Sequence, residues 1–327
     1  MLKAADLPAK ERPVVWIDGQ FLPKSKATVS VFDHGFLYGD GVFEGIRIYN
    51  GKIFKARSHT ERIFRNARAI FMDQQSVSPD DTATGVRKPE GGNFPYTEDE
   101  IIEIMEACVE ANALSEGYIR LIFSRGVGTL GLHPFHCPRP SITVIADTIS
   151  LYPQEMYEQG MDVITASRPR IPTVCLDPKL KPLNYLNNIL AKVEAIDAGV
   201  LEAIMFRYTD REDSPRYIGE CTGDNIFLIK NGKILTPALD TGMLDGITRS
   251  FVINELAPAC GIEVEEKWLT IEDVLAADEL FLTGTAAEII AVRKVDDTTI
   301  TNGEGPVTKK LREKFRSIVT SDAVPVD

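Results

Sequence analysis

The chain has 327 residues, 44% of them hydrophobic and 26% charged, with a formal net charge of −12 at pH 7. That length exceeds what one core usually fills, so two domains are expected within an ordinary globular composition. The acidic balance argues against a nucleic-acid partner, and no apolar run nears the roughly 20 residues of a bilayer span, which argues against a membrane one.

Residues 1–8 lack an apolar stretch followed by small residues, so no secretory signal and a cytoplasmic location are expected. Five cysteines, Cys108, Cys137, Cys175, Cys221 and Cys260, lie without paired spacing, which suits a reducing compartment better than a disulfide framework. Three hairpins are predicted where Asp18-Gly19, Asn50-Gly51 and Asn231-Gly232 follow the apolar runs 14–17, 46–49 and 226–230. Between the first pair of hairpins and the third, helical spacing runs over 57–72, with Ile63, Phe64, Ala67, Ile70 and Phe71 on one side, and over 98–114, with Ile101, Ile102, Met105 and Val109. Residues 74–97 are polar and Gly/Pro-rich and read as a loop or insertion. Strands are predicted at 118–123 and 141–146, a domain junction near 147–154, then a strand at 162–167 and a Pro-rich loop at 169–182. A helix over 183–198 ended by Gly199, strands at 202–207 and 226–229, helices over 248–260 and 271–276, and strands at 279–282 and 289–292 follow.

Four ordered stretches together match the needs of pyridoxal phosphate, which takes an amine, an acid for its ring nitrogen and an anion cup for its phosphate. They are Lys181-Pro-Leu-Asn-Tyr185, Glu220-Cys-Thr-Gly-Asp-Asn225, Leu244-Asp-Gly-Ile-Thr-Arg249 and Thr283-Gly-Thr-Ala-Ala-Glu288. Lys181 lies between Pro178 and Pro182 on a stiff backbone, with Lys179 and Lys192 as rivals. A desolvated lysine is the competent nucleophile towards an aldehyde, whereas most lysines are solvated. Glu220 precedes a polar turn at a strand mouth, where it serves either as the ring-nitrogen acid or as an exposed turn residue. Asp245 to Arg249 opens a helix whose unpaired amides can bind phosphate, the alternative being simple capping by Asp245 or Thr248. The turn at Thr283 to Thr285 lets amides approach an anion, or is an ordinary tight turn. Arg62 is not distinguishable by pattern from Arg57, Arg65 and Arg68.

Two other motifs are set aside. Gly126 to Gly131 spells the dinucleotide-binding pattern of a nicotinamide-dependent oxidoreductase, but the three prolines that follow cannot build the helix whose start must hold the pyrophosphate. His133, His136 and Cys137 lack a fourth ligand at metal spacing, so no metal is expected.

With the run from Phe32 to Arg47, Phe-Asp-His-Gly-Phe-Leu-Tyr-Gly-Asp-Gly-Val-Phe-Glu-Gly-Ile-Arg, these stretches resemble the fold type IV pyridoxal-phosphate enzymes, specifically the branched-chain amino acid aminotransferases, over nearly the whole chain. The resemblance implies a two-domain α/β (α+β) fold of the D-amino acid aminotransferase type: a smaller N-terminal domain 1–147, a loop 148–154 and a larger, cofactor-anchoring domain 155–327, with the cofactor in the cleft and a homodimer. It implies that Lys181 forms the imine and shuttles the proton, that Glu220 pairs with the pyridine nitrogen and that Tyr185 bonds the phenolic oxygen. Arg62, the amides of Ile247 and Thr248, and Thr285 would hold the phosphate, and Leu244 and Gly223 would sandwich the ring. For substrate, it implies Thr285 and Ala286 at the α-carboxylate with Tyr118 nearby, Phe43 and Tyr38 shaping the side-chain pocket with Tyr38 contributed across the homodimer, Tyr152 as the junction aromatic that lines it, Arg47 as a further substrate-binding residue, and Arg120 on the second carboxylate of glutamate. The reaction implied is transfer of the amino group of L-leucine, L-isoleucine or L-valine to 2-oxoglutarate. The same-fold alternative is a D-amino acid or (R)-amine transaminase, whose arginine and histidine trap is replaced here by Leu130 and Leu132; an aminobenzoate-forming lyase is a further relative. The Lys-Pro-Leu-Asn spacing at Lys181 is that of the D-amino acid branch.

Overall fold

The computed structural model describes residues 1–73, 94–149, 152–211, 214–321 and 324–325. Most of the expected insertion at 74–97 and residues 150–151 of the expected junction lie outside them. The chain divides into two units: Met1–Ile149, Leu180–Asn184 and Thr320–Asp327 form the first, and Ser150–Lys179 and Tyr185–Val319 the second.

In unit 1 the elements run β1 (Val14–Ile17), β2 (Gln20–Pro23), α1 (His34–Tyr38), β3 (Gly41–Tyr49), β4 (Lys52–Ile53), α2 (Ala56–Ala69), α3 (Glu98–Asn112), β5 (Gly117–Ser124) and β6 (Ser141–Asp147). Among the described residues these six strands form an antiparallel sheet in the order β2-β1-β6-β5-β3-β4. The hairpins form where predicted because Asp18 and Gly19, and Asn50 and Gly51, all take positive φ, the mirror-image turn that matches strand twist. Helix α3 starts as predicted because Thr97 and Glu100 make a reciprocal cap: Glu100 N–H donates to Thr97 Oγ1 at 3.3 Å and Thr97 N–H to Glu100 Oε2 at 2.7 Å. Helices α2 and α3 bury Ile63, Phe64, Ala67, Ile101 and Met105 with one face of the sheet, Val42, Ile46, Ile48, Ile119, Leu121, Phe123, Ile142 and Val144. The period of two then assigns Phe43, Gly45 and Arg47 of β3 to the opposite face.

The stretch 180–184, expected in the C-terminal part, belongs to this unit. Pro182 bridges Val42, Phe43 N–H donates to Lys181 O at 3.0 Å, and Leu183 N–H donates to Gly41 O at 2.9 Å. Residues engaged in that extended pairing cannot begin a helix, so the helix expected from Leu183 starts at Leu186.

Unit 2 runs α4 (Gln154–Gln159), β7 (Met161–Thr165), α5 (Leu186–Asp197), β8 (Glu202–Phe206), β9 (Ile218–Cys221), β10 (Asn225–Lys230), β11 (Lys233–Pro237), α6 (Ile247–Phe251), α7 (Ala257–Ala259), β12 (Val264–Lys267), α8 (Ile271–Leu275), β13 (Glu279–Gly284), β14 (Glu288–Val295), β15 (Thr298–Thr299) and α9 (Pro306–Val319). Among the described residues its strands form one mixed sheet in the order β12-β11-β10-β13-β14-β7-β8-β9, with β15 on β14. The helix expected over 248–260 is continuous from α6 to α7 but widens to a π turn at Val252–Leu256. Pro258 has no N–H for the carbonyl four residues back, so the ladder must loosen there. Helix α9 was not expected. Its first turn is capped from far away in sequence, by buried Glu279, whose oxygens accept from Val307 N–H at 3.0 Å and Thr308 N–H at 2.8 Å. Among the described residues no helix is long and apolar enough to cross a membrane.

Candidate active site

The glycines of the Phe32–Arg47 run are explained by what lies on them. A Cβ at Gly39 would meet Asn184 at 2.9 Å, and one at Gly41 would meet Leu183 and the Phe123 carbonyl at 2.6 Å. The run is open so that the lysine-bearing stretch can press against the start of β3. Lys181, half-buried, thereby projects over Phe43, its Nζ 4.7 Å from the ring centroid. The rivals are placed differently: Lys179 is exposed, and Lys192 Nζ pairs with Glu202 at 2.9 Å.

The sheet face that bears Phe43 gathers further side chains. Gly45 pairs with Arg120 across the strands and Arg47 with Tyr118. A Cβ at Gly45 would collide with the Tyr118 hydroxyl, so this glycine is the floor on which the phenol rests. The Arg120 guanidinium stacks 4.6 Å over Phe43 and 5.4 Å from the Tyr118 ring, which makes a cation held on an aromatic wall. Arg47 lies over Tyr49 at 4.9 Å and 3.9 Å from Glu116, further along the same face. Tyr38 ends α1, is 40% exposed, and accepts a hydrogen bond from Gly131 N–H at 3.1 Å.

Arg62 now separates from its neighbours on α2. It is buried, while Arg68 pairs with Glu98 and Arg57 with Asp99 near the surface. Its partner is Glu44, fully buried on β3: Nε donates to Oε1 and Nη2 to Oε2, both at 2.7 Å. His59 Nδ1 lies 2.8 Å from Glu44 Oε2. Burial alone would raise the Glu44 pKa, but Arg62 and His59 outweigh it and hold the carboxyl well below its usual range. The carboxylate being ionised, His59 Nδ1 must carry the hydrogen of that contact. Burial lowers the His59 pKa against the pull of Glu44, leaving the ring neutral.

In unit 2, Glu220 sits buried on β9 with both oxygens aligned. Arg170 Nη2 lies 2.9 Å from Oε1, while Leu244 N–H at 3.2 Å and Asn225 Nδ2 at 3.3 Å donate to Oε2. Glu220 is therefore no exposed turn residue. Arg170, which the sequence reading missed, also donates through Nη1 to Asn188 Oδ1 at 3.0 Å, and Asn188 Nδ2 donates to Thr222 O at 2.8 Å. Tyr185 precedes α5, Gly223 lies open in the turn before β10, and Tyr152 packs edge-on to Tyr157 at 6.4 Å. Burial, with the carboxylates of Asp224 and Glu202, pushes the Tyr152 phenol well above its usual range. Gly246 caps α6, so Ile247 and Thr248 occupy its first turn. Arg249 of the same motif is structural: it donates to Pro237 O at 2.9 Å and pairs with Glu266. Thr285, Ala286 and Ala287 form the tight turn between β13 and β14, and buried Thr283 Oγ1 beside it has no partner among the described residues. The glycines at 126–131 are followed only by one short helical turn, Pro134–His136, where the His133 and His136 rings stack at 4.0 Å.

The family model described as Amino-transferase class IV matches residues 41–295. A protein of Methanocaldococcus jannaschii, provisionally named a branched-chain-amino-acid aminotransferase, is 42% identical over 313 residues, covering 95% of this chain and 98% of its own. A D-alanine aminotransferase of Staphylococcus aureus is 31% identical over 312 residues, 95% of this chain and 99% of its own. The crystal structure of a branched-chain amino acid aminotransferase from T.th. with pyridoxamine 5′-phosphate superposes with a TM-score of 0.81 at 32% identity, covering 94% of each chain.

Proposed function

The chain belongs to the class IV aminotransferases, and from that premise we propose that it transfers the amino group of L-leucine, L-isoleucine or L-valine to 2-oxoglutarate, giving the branched-chain 2-oxo acids and L-glutamate. The observation that carries the substrate reading is the wall of Phe43 and Tyr118 with Arg120 stacked on it and Lys181 Nζ against the same Phe43 ring. An apolar surface receives a leucine side chain, and a cation at its margin receives the second carboxylate of glutamate, so one pocket serves both half-reactions.

The donor set fits pyridoxal 5′-phosphate, whose amine form accompanies the solved relative from T.th.. The set comprises a half-buried amine on an aromatic ring, a buried carboxylate with both oxygens aligned, a helix start, and a small-residue turn beside a hydroxyl that has no protein partner among the described residues. Once bound, this group supplies an electron sink for the negative charge left at the substrate Cα. Lys181 Nζ would hold it and would move the proton at the substrate Cα. Glu220, held by Arg170, Asn225 and the Leu244 amide, would pair with the ring nitrogen and keep it protonated, while Tyr185 would hydrogen-bond the phenolic oxygen. Leu244 and Gly223 would sandwich the ring, and Arg62, the amides of Ile247 and Thr248, and Thr285 would hold the phosphate. Thr285 and Ala286 would orient the substrate α-carboxylate with Tyr118 nearby, Phe43 and Tyr38 would shape the side-chain pocket with Tyr152 lining it, and Arg47 would be a further substrate-binding residue. Exposed Phe32, Phe36, Leu130 and Leu132 support a homodimer in which Tyr38 serves the second copy. The free cysteines favour the cytoplasm.

The test is the visible absorption of the purified protein with L-leucine and, separately, D-alanine. A shift with L-leucine alone supports this reading, a shift with D-alanine alone assigns the chain to the D-amino acid branch, and no cofactor band after adding pyridoxal 5′-phosphate refutes both.

A further inference from the structure

We propose that Glu44 and His59 form a clamp that sets the orientation of Arg62, which makes them positioning residues for the cofactor's phosphate; this rests on the reading of Arg62 as a phosphate-holding residue. Glu44 is the anomaly of its strand. Val42, Ile46 and Ile48 share its face of β3 and lie in the core, where a carboxylate persists only if paired. The partners come from α2, where His59 and Arg62 are three residues apart and so share a face.

The geometry of the grip is directional. Glu44 takes Arg62 side-on, through Nε and Nη2 at 2.7 Å each. A guanidinium is a rigid planar fork of five donors, so committing that edge fixes its plane and turns the remaining donors away from the carboxylate in one direction. His59 Nδ1, on Glu44 Oε2 at 2.8 Å, opposes rotation of the carboxylate. A long side chain ordered before its ligand arrives removes ordering entropy from the binding step. Glu44 also neutralises Arg62, so the protein without ligand buries no net charge there. Arg57 and Arg68 on the same helix pair instead with acids nearer the surface, Asp99 and Glu98.

The experiment compares two ligands on the full-length protein freed of cofactor: pyridoxal 5′-phosphate, and pyridoxal, which has the same ring and aldehyde without the phosphate. Ring absorbance gives the affinity for each. Glu44→Gln keeps the shape but presents an amide donor to the Arg62 fork. His59→Leu removes the donor to Glu44, and His59→Asn restores one at about the position of Nδ1. By analogy with partners behind metal ligands, Kd for pyridoxal 5′-phosphate should rise roughly ten- to hundredfold in Glu44→Gln and His59→Leu. Pyridoxal affinity should stay at the wild-type value, and His59→Asn should recover most of the loss. Equal weakening for both ligands, or none, overturns the clamp, since a merely structural role would not discriminate by phosphate. Arg62→Lys tests the premise separately, because it keeps the charge without the fork. If it retains full preference for the phosphorylated ligand, the reading of Arg62 fails; if it loses that preference while the Glu44 and His59 variants keep theirs, the premise stands and the clamp is wrong.

Discussion

Replacing Arg170 by methionine isolates the support behind Glu220. The substitution keeps an unbranched side chain but removes the cation 2.9 Å from Glu220 Oε1 and the donor 3.0 Å from Asn188 Oδ1. Arg170 is 8% exposed and Glu220 5%, so water cannot readily replace what is lost. Two donors remain on Glu220, Leu244 N–H and Asn225 Nδ2, both on the other oxygen. Removing one member of a buried pair and stranding the other costs about 3–5 kcal/mol. At roughly 2 °C per kcal/mol for a chain of this size, the cofactor-free protein should melt some 6–10 °C lower. The assay is thermal unfolding without cofactor, followed by titration with pyridoxal 5′-phosphate, in which the affinity should also fall. The double variant Arg170→Met, Glu220→Leu replaces the pair by apolar groups and should regain most of the melting temperature while still failing to turn over, since replacing both partners is often near neutral. A single variant within about 1 kcal/mol of wild type would refute the reasoning, because it would mean that Glu220 does not depend on Arg170.

Three further outcomes follow from the same geometry. Gly45→Ala should drive the Tyr118 phenol off its floor, an overpacking of about 1–3 kcal/mol, and raise the apparent KM for L-leucine while leaving the cofactor spectrum unchanged; an unaltered KM would contradict the placement of Tyr118 at the substrate. Arg120→Leu should lower kcat/KM for 2-oxoglutarate by about 1.5–3 kcal/mol, roughly ten- to hundredfold, and spare the L-leucine half-reaction, as single-turnover rates of each half will show; equal losses in both would contradict the assignment. In acid, folded His59 resists the proton that the unfolded chain accepts near the ordinary value of 6.5, so its stability contribution is present above that pH and lost below it. Glu44, held low by Arg62 and His59 against burial, adds a second loss as pH falls below the ordinary 4.5. The urea midpoint should therefore drop between about pH 7.5 and 5.5 in the wild type and drop less in His59→Asn, whereas equal slopes would contradict a buried neutral His59.

Much of the fold was legible because its signals are local. Asx-Gly pairs with positive φ marked three hairpins, and the Thr97/Glu100 cap lies within four residues. What was hidden depends on partners distant in sequence. Helix α9 is capped by Glu279, and the stretch that carries Lys181, unlike Lys179 and Lys192, pairs with Gly41 and Phe43 far upstream in the chain. The start of α5 moved for the same reason. A motif pointed to Glu220, but Arg170, which pairs with it, has no motif of its own. Glu44 did leave a trace: it is the lone carboxylate between Val42 and Ile46 on the apolar face of a period-two strand, and such a residue asks for a buried cation.

The most direct test of Lys181 as the cofactor-bearing residue is borohydride reduction of the holoenzyme, which fixes the cofactor to the amine that holds it, followed by peptide mapping. The account predicts the label on Lys181, in the stretch that lies against β3; a label on Lys179 or Lys192, or none on any lysine, would contradict it.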